Sequence, residues 1–414
     1  MILSINIGRR KIKFELPFIF LCLSVLLLPI NIEVAGPLRI NDIFLTLALI
    51  SVAHKIKFSR QVFHVIMALI IILSISSALG LWAYGIKNLQ NIGFIYKFLV
   101  PLFPLLIISS ITMTPERIRL LHRLLLWVFI ALTAWVYLFL VLRLSGMLYG
   151  SLRPSFPFSN DPYLTDAHLY SCFLAMGLVM YNFYWKKYFR HGAIFSFFIN
   201  VISLPAIVLT GSKTGIVVVI FAQVVSLIVD YRNIFQVKKT SFVVGVLLIG
   251  VFTYLVISVS FDTTILRLAE RALDIQGGGD SSASRIRKLL LSFDQSSGTF
   301  LIFGVGLVSN FVTWYDGLIG STNGFMGLAG LMLLAYVVVQ LLRVNYYEAK
   351  RNQKQQYFIP FAIVTISYLL ANLITEYYLV TRGVLPVAIF LVLLHYLIKQ
   401  PAEIELEKAS NHHS

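Results

Sequence analysis

Leu124-Leu125-Leu126-Trp127-Val128-Phe129-Ile130-Ala131-Leu132-Thr133-Ala134-Trp135-Val136-Tyr137-Leu138-Phe139-Leu140-Val141-Leu142 holds no charged side chain and lies between Arg123 and Arg143. Its length is close to the ~20 residues that a helix needs to cross the hydrocarbon core of a bilayer. Working outward, similar apolar runs occupy 16–32, 38–53, 62–82, 93–111, 167–185, 193–209, 214–229, 241–260, 323–342, 357–375 and 384–398. With the run at 119–142 they make about twelve spans. The expected fold is therefore an all-α integral membrane protein, a single polytopic domain over 1–414, with short helices in one large external loop.

Composition agrees. The chain is 58% hydrophobic and 13% charged, with a mean hydropathy of +0.84, values that exclude an ordinary soluble catalytic domain. The net charge of +16 invites a nucleic-acid reading, which fails once the charges are placed. Most Lys and Arg fall in short loops between apolar runs, where they set orientation and meet the lipid bilayer. With the N-terminus cytoplasmic, the inner loops hold Lys55, Lys57 and Arg60; Arg117, Arg119 and Arg123; Lys186, Lys187 and Arg190; Arg232, Lys238 and Lys239; and Arg343, Lys350, Arg351 and Lys354. Every inner loop is basic, and the C-terminus is cytoplasmic too. The spans are nearly free of Asp, Glu, Lys and Arg, with Lys97 the main exception. Val34-Ala35-Gly36 has the form of a signal-peptidase site, but the long preceding apolar run favours a retained first helix. Cys22 and Cys172 sit in spans and imply neither disulfide nor metal site.

Two longer stretches are left outside, 143–166 and 261–322. The second carries Arg267, Arg271, Arg285, Arg287 and Lys288 among several acids, and its apolar residues fall on helical stripes at Ile265, Leu268, Ala272 and Ile275 and at Ile286, Leu289, Leu290 and Phe293. The glycines at 277, 278 and 279 separate the two stripes. This reads as a lid with an apolar underside and a cationic face. The apolar piece at 300–311 is too short for a span and reads as interfacial or re-entrant.

Four local patterns, in this order and topology, resemble the O-antigen ligase and polymerase superfamily, integral membrane glycosyltransferases that act on polyprenyl-diphosphate-linked glycans at the periplasmic face. They are Arg153-Pro154-Ser155-Phe156-Pro157-Phe158-Ser159-Asn160-Asp161-Pro162; Leu209-Thr210-Gly211-Ser212-Lys213-Thr214-Gly215; Ser284-Arg285-Ile286-Arg287 followed by Phe303-Gly304-Val305-Gly306; and Ser321-Thr322-Asn323-Gly324. The chain departs from the family twice. Lys213 stands where the family has arginine, keeping the charge without the planar fork. Ser321 or Thr322 stands where ligases carry histidine, which moves the expectation from ligase to polymerase. The resemblance implies a bacterial inner-membrane location, a polyprenyl-diphosphate-linked glycan as substrate, and a chain-length regulator as a further partner.

The chemistry of such a donor asks for cations that neutralise the departing diphosphate and for an aligned acceptor hydroxyl. Arg285, Lys213 and His168 are the catalytic candidates, His168 being the one histidine expected outside, two residues after Asp166. Arg153, Arg287, Arg267, Arg271 and Asn323 are the candidates for substrate binding. Each has a plainer alternative: solvated helix charge for Arg285, a snorkelling lysine for Lys213, a helix cap for Asp166, and lid salt bridges with Glu270 or Asp274 for Arg267, Arg271 and Arg287. No Asp-x-Asp, His-x-x-x-His or cysteine-pair pattern lies outside, so a metal-independent, inverting transfer without cofactor is expected. A polyprenyl-glycan flippase is the competing class; no clear internal repeat favours it.

Overall fold

The computed structural model describes residues 2–7, 10–30, 32–35, 38–56, 60–85, 99–100, 102–147, 153–157, 167–188, 192–231, 288–294, 296–306, 317–374 and 381–399. The run 241–260, Lys97, Arg267, Arg271, Arg285 and Arg287 lie outside the described residues.

Helices fall where the apolar runs do. They are α1 (Leu16–Leu26), α2 (Ile40–Val52), α3 (Arg60–Tyr84), α4 (Leu102–Ser110), α5 (Pro115–Leu144), α6 (Ala167–Phe183), α7 (Gly192–Leu209), α8 (Lys213–Tyr231), α9 (Leu318–Arg351), α10 (Gln355–Ile374) and α11 (Thr381–Lys399). Two small antiparallel hairpins, which the apolar pattern did not anticipate, precede α1 and α2. One pairs β1 (Ile2–Ile7) with β2 (Arg10–Glu15), and the other pairs β3 (Glu33–Ala35) with β4 (Leu38–Arg39). In the first, the basic residues Arg10, Lys11 and Lys13 lie on the returning strand.

Among the described residues four helical stretches are long and apolar enough to cross a membrane: Val62–Tyr84, Pro115–Leu144, Leu318–Arg351 and Gln355–Leu373. The chain is thus a helical membrane protein. Other apolar helices are shorter; α6, at 17 residues, runs about 25 Å against a core of ~30 Å. Only 11% of the apolar window of α3 is buried, and Phe63, Ile70 and Ile71 stand exposed on it. In water such a face would be a liability; in lipid it meets its own solvent.

Two helices also take in residues expected in loops. α5 opens on Pro115, whose ring suits the first helical position, with Glu116 in its first turn and Arg143 in its last. It therefore absorbs Arg117, Arg119 and Arg123, and Arg117 is buried. α9 absorbs Arg343, Lys350 and Arg351, so the expected inner loop shrinks to the turn before α10.

The chain folds as two compact units. One comprises Met1–Phe20, Thr46–Thr114 and Gly279–Ser414, and the other Leu21–Leu45 and Pro115–Gly278. The second unit is centred on α6, which is buried along most of its length. A Cβ added at Gly215 of α8 would lie 2.1 Å from Ser171 Oγ, and one at Gly177 would lie 2.3 Å from the Phe129 ring. Small residues thus bring α8 and α5 against α6, as helix pairs in lipid require. Asn182 and Asn200 exchange side-chain hydrogen bonds of 2.9 Å between α6 and α7. In the first unit α9 packs on α3, α10 and α11, and the Tyr396 hydroxyl ties α11 to the Met113 carbonyl at 3.1 Å.

Candidate functional site

The second unit brings together the first two of the four motifs. α7 ends at Leu209, and Gly211 takes a left-handed φ of +64°, the conformation that glycine adopts most readily at a helix C-terminus. Its N–H donates to Val208 O at 2.8 Å. The turn leaves the carbonyls of Thr210 and Gly211 facing outward from the helix end. Arg153 takes both: Nε donates to Thr210 O at 3.0 Å and a terminal guanidinium nitrogen donates to Gly211 O at 3.1 Å. A cation is favoured there by the partial negative charge of the helix terminus.

The stretch that presents Arg153 is itself fastened. Phe156 is buried, its ring 4.8 Å from that of Tyr170 and 5.9 Å from that of Phe173 on α6. Trp135 of α5 donates its indole N–H to Ser155 O at 2.9 Å. Pro154 and Pro157 fix φ on either side. The Arg153 head therefore projects from a rigid bracket.

Lys213 follows two residues after Gly211, as the first residue of α8. It is half-buried, between buried Ser212 and Thr214. The same turn thus carries the negative end of one helix, neutralised by Arg153, and the positive end of the next, beside Lys213. Net positive charge collects at the turn, and an anionic group is what it can accept. His168 is the second residue of α6 and is half-buried; Asp166 lies outside the described residues.

The first unit brings the Phe303–Gly306 part of the third motif against the fourth. α9 is broken at Gly327, whose φ of 60° and ψ of −156° are not helical. In an unbroken helix the N–H groups of Leu328 and Ala329 would donate to the carbonyls of Gly324 and Phe325. Instead they donate to Leu301 O at 3.0 Å and Ile302 O at 2.9 Å, while Gly324 O and Phe325 O accept from Val305 at 2.9 Å and Gly306 at 3.1 Å. The Phe-Gly-Val-Gly turn thus replaces two lost helical bonds with four to the loop, satisfying backbone that lipid could not. The approach is close: a Cβ at Gly304 would lie 2.7 Å from Gly324 O, and one at Gly306 would lie 2.5 Å from Ser77 Cα of α3.

Asn323 belongs to this crossing. It is 1% exposed, its side-chain amide nitrogen donates to Ser292 O at 3.0 Å, and its backbone carbonyl accepts from the Ser296 hydroxyl at 2.8 Å. These bonds tie α9 to the short helical stretch at 288–294, which directly follows Arg285 and Arg287 in the chain. Asn323 therefore fastens α9 to the 288–297 stretch from a buried position. Arg285, Arg287, Arg267 and Arg271 themselves lie outside the described residues.

The sequence reading missed one polar cluster. Arg39 and Asp42 open α2, inside a run expected to be nearly free of charge. Asp42 is buried, and its carboxylate accepts the Arg39 N–H at 3.0 Å and the Asn41 amide at 3.3 Å. This is a helix cap in which a residue three positions on reaches back to the entering N–H. The Arg39-Ile40-Asn41-Asp42 spacing was the available signal.

Among the described residues no group of three or more His, Cys, Asp or Glu stands close enough to hold a metal ion. No protein-family model matches the chain, and no curated protein matches it either.

Proposed function

We propose that this chain is a membrane glycosyltransferase that polymerises polyprenyl-diphosphate-linked oligosaccharide repeat units, of O-antigen or a related surface polysaccharide, on the periplasmic face of a bacterial inner membrane. The observation that carries the reading is Arg153 seated on the Thr210–Gly211 turn, two residues before Lys213. Residues far apart in sequence there build one cationic position at a helix junction, suited to a diphosphate. The pairing of the Phe303–Gly306 turn with the broken helix supports the same reading, because it fixes the chain that follows the candidate cations Arg285 and Arg287.

In the proposed reaction an acceptor hydroxyl of one repeat unit attacks the anomeric carbon of the glycan on a second carrier. The bond from that carbon to the diphosphate oxygen breaks with its electron pair, and polyprenyl diphosphate leaves. Lys213 and Arg153 neutralise the leaving group, and Arg285, Arg287, Arg267 and Arg271 are the further cations proposed to meet the substrate's anionic groups. His168 takes the proton from the attacking hydroxyl, and configuration inverts because attack comes from the face opposite the diphosphate. The proposed topology has about twelve spans, both termini cytoplasmic and loops 143–166 and 261–322 periplasmic.

The test is purified protein in liposomes with a defined polyprenyl-diphosphate repeat unit as the only glycan. A ladder of multiples with released polyprenyl diphosphate, unchanged by chelator, is expected. Transfer only after lipid A core is added would make the protein a ligase, and movement of intact substrate without bond formation would make it a transporter.

A further inference from the structure

α9 is 34 residues long. The part after its break, from Leu328 to Arg351, runs about 35 Å at 1.5 Å per residue, longer than the ~30 Å hydrocarbon core. Along it, Leu328, Met332, Tyr336 and Val339 are exposed at spacings of four, four and three. That spacing makes one stripe on the helix surface, about 16 Å long and so close to the depth of one lipid leaflet.

The stripe continues into a different chemistry. Arg343 follows Val339 on the same face, and Tyr346, Tyr347 and Lys350 follow Arg343, all exposed. A groove of about 280 Å³ opens here, lined by Gln340, Arg343, Val344, Tyr347, Glu348 and Arg351. The Arg343 guanidinium lies over the Tyr347 ring, 5.8 Å from its centroid. Glu348 is turned to Arg351, 4.0 Å away. Arg343 has no carboxylate partner among the described residues, so the charge of the groove is positive.

We infer that this face of α9 binds one anionic phospholipid. Its acyl chain lies along Leu328, Met332, Tyr336 and Val339, and its phosphate sits in the groove, against Arg343 and within reach of the Tyr347 hydroxyl. The apolar stripe ends where a headgroup begins, and tyrosine with arginine at that level is what a membrane interface favours. A second copy of the chain would match the apolar part of the stripe but would bring Arg343 against its own like charge. Anionic lipid matches both parts. The inference is independent of the catalytic reading, since it uses no residue of the proposed diphosphate site.

The experiment is native mass spectrometry of the full chain, purified and given equal amounts of phosphatidylglycerol and phosphatidylcholine with identical acyl chains. Retention of phosphatidylglycerol is expected, and Arg343→Gln is expected to lower it about fivefold, the share of one cation at an anionic surface. Lys55→Gln, which removes an equally exposed cation elsewhere, is expected to leave it unchanged. Equal losses from both variants, or none from Arg343→Gln, would overturn the site in favour of diffuse attraction. Disulfide-linked dimers from Val339→Cys would show that a second copy occupies the stripe instead.

Discussion

Arg153 grips two adjacent carbonyls with two N–H groups of one guanidinium, and that geometry limits what can replace it. Lysine keeps the charge but offers a single flexible head. We expect Arg153→Lys to lower stability by about 1.5–3 kcal/mol, the range for hydrogen bonds to a charged group, measured by thermal unfolding in detergent. Product length in the reconstituted assay should fall as well. Full-length polymer from an Arg153→Lys protein of reduced stability would reduce Arg153 to a helix cap. Lys213→Arg restores the fork on the other side of the same turn and should retain activity, whereas Lys213→Ala should not. The types of residue at this site were legible in the sequence, because cations beside Gly-Ser and Pro-rich turns stand out in an apolar chain. Their contact was not, since nothing local signals a bond across 57 positions. Asn323 shows the converse: its place in the Ser321–Gly324 motif suggested a substrate contact, and its burial with its amide on Ser292 O gives it a holding role. The spacing of those two serines, one helical turn apart, was a usable signal.

At the scale of elements, the crossing of the 300–306 turn with the broken α9 is where backbone conformation is most constrained. Gly304 and Gly327 both have positive φ, +68° and +60°, and each faces the other's backbone at less than a side chain's distance. An added methyl costs about 1 kcal/mol or more in φ alone, and roughly 1–3 kcal/mol more in overpacking. Gly304→Ala and Gly327→Ala should each lower the midpoint of thermal unfolding clearly, while Gly298→Ala should shift it less. Gly298 also has positive φ, but nothing lies within 4 Å of its added Cβ, so it isolates the conformational part of the effect. Equal shifts at all three would mean that packing at the crossing contributes nothing. The positions of the helices were readable from apolar runs, because period and length are local properties. The break was not, although the short length of the 300–311 piece did separate it from the spans. What decides it is a pair of helical bonds exchanged for loop bonds, and that exchange exists only once both partners are present. The N-terminal hairpin escaped for a similar reason: strands of six residues whose pairing depends on a turn leave no long periodic trace.

For the whole molecule, the remaining link between fold and function is which way α9 crosses the membrane. Ser297, exposed just before the 300–306 turn, and Lys350, exposed near the end of α9, lie within one compact unit. About 35 Å of helix separates the break at Gly327 from Arg351. Basic residues gather at the Lys350 end, which by charge bias belongs in the cytoplasm. The proposed function needs Ser297 on the opposite side, because the lid that leads into it must face a periplasmic substrate. Single cysteines at these positions, with Cys22 and Cys172 replaced by alanine, can be tested in intact cells with a membrane-impermeant maleimide. Ser297→Cys should label before lysis and Lys350→Cys only after it. Labelling of Lys350→Cys alone would turn the lid to the cytoplasm, where no polyprenyl-linked polymer is assembled by the proposed route. Labelling of both from outside would mean that α9 does not cross, and the lipid stripe along it would lose its second interface. Only the expected pattern puts the 300–306 turn and the anionic-lipid groove on the sides that their proposed chemistry requires.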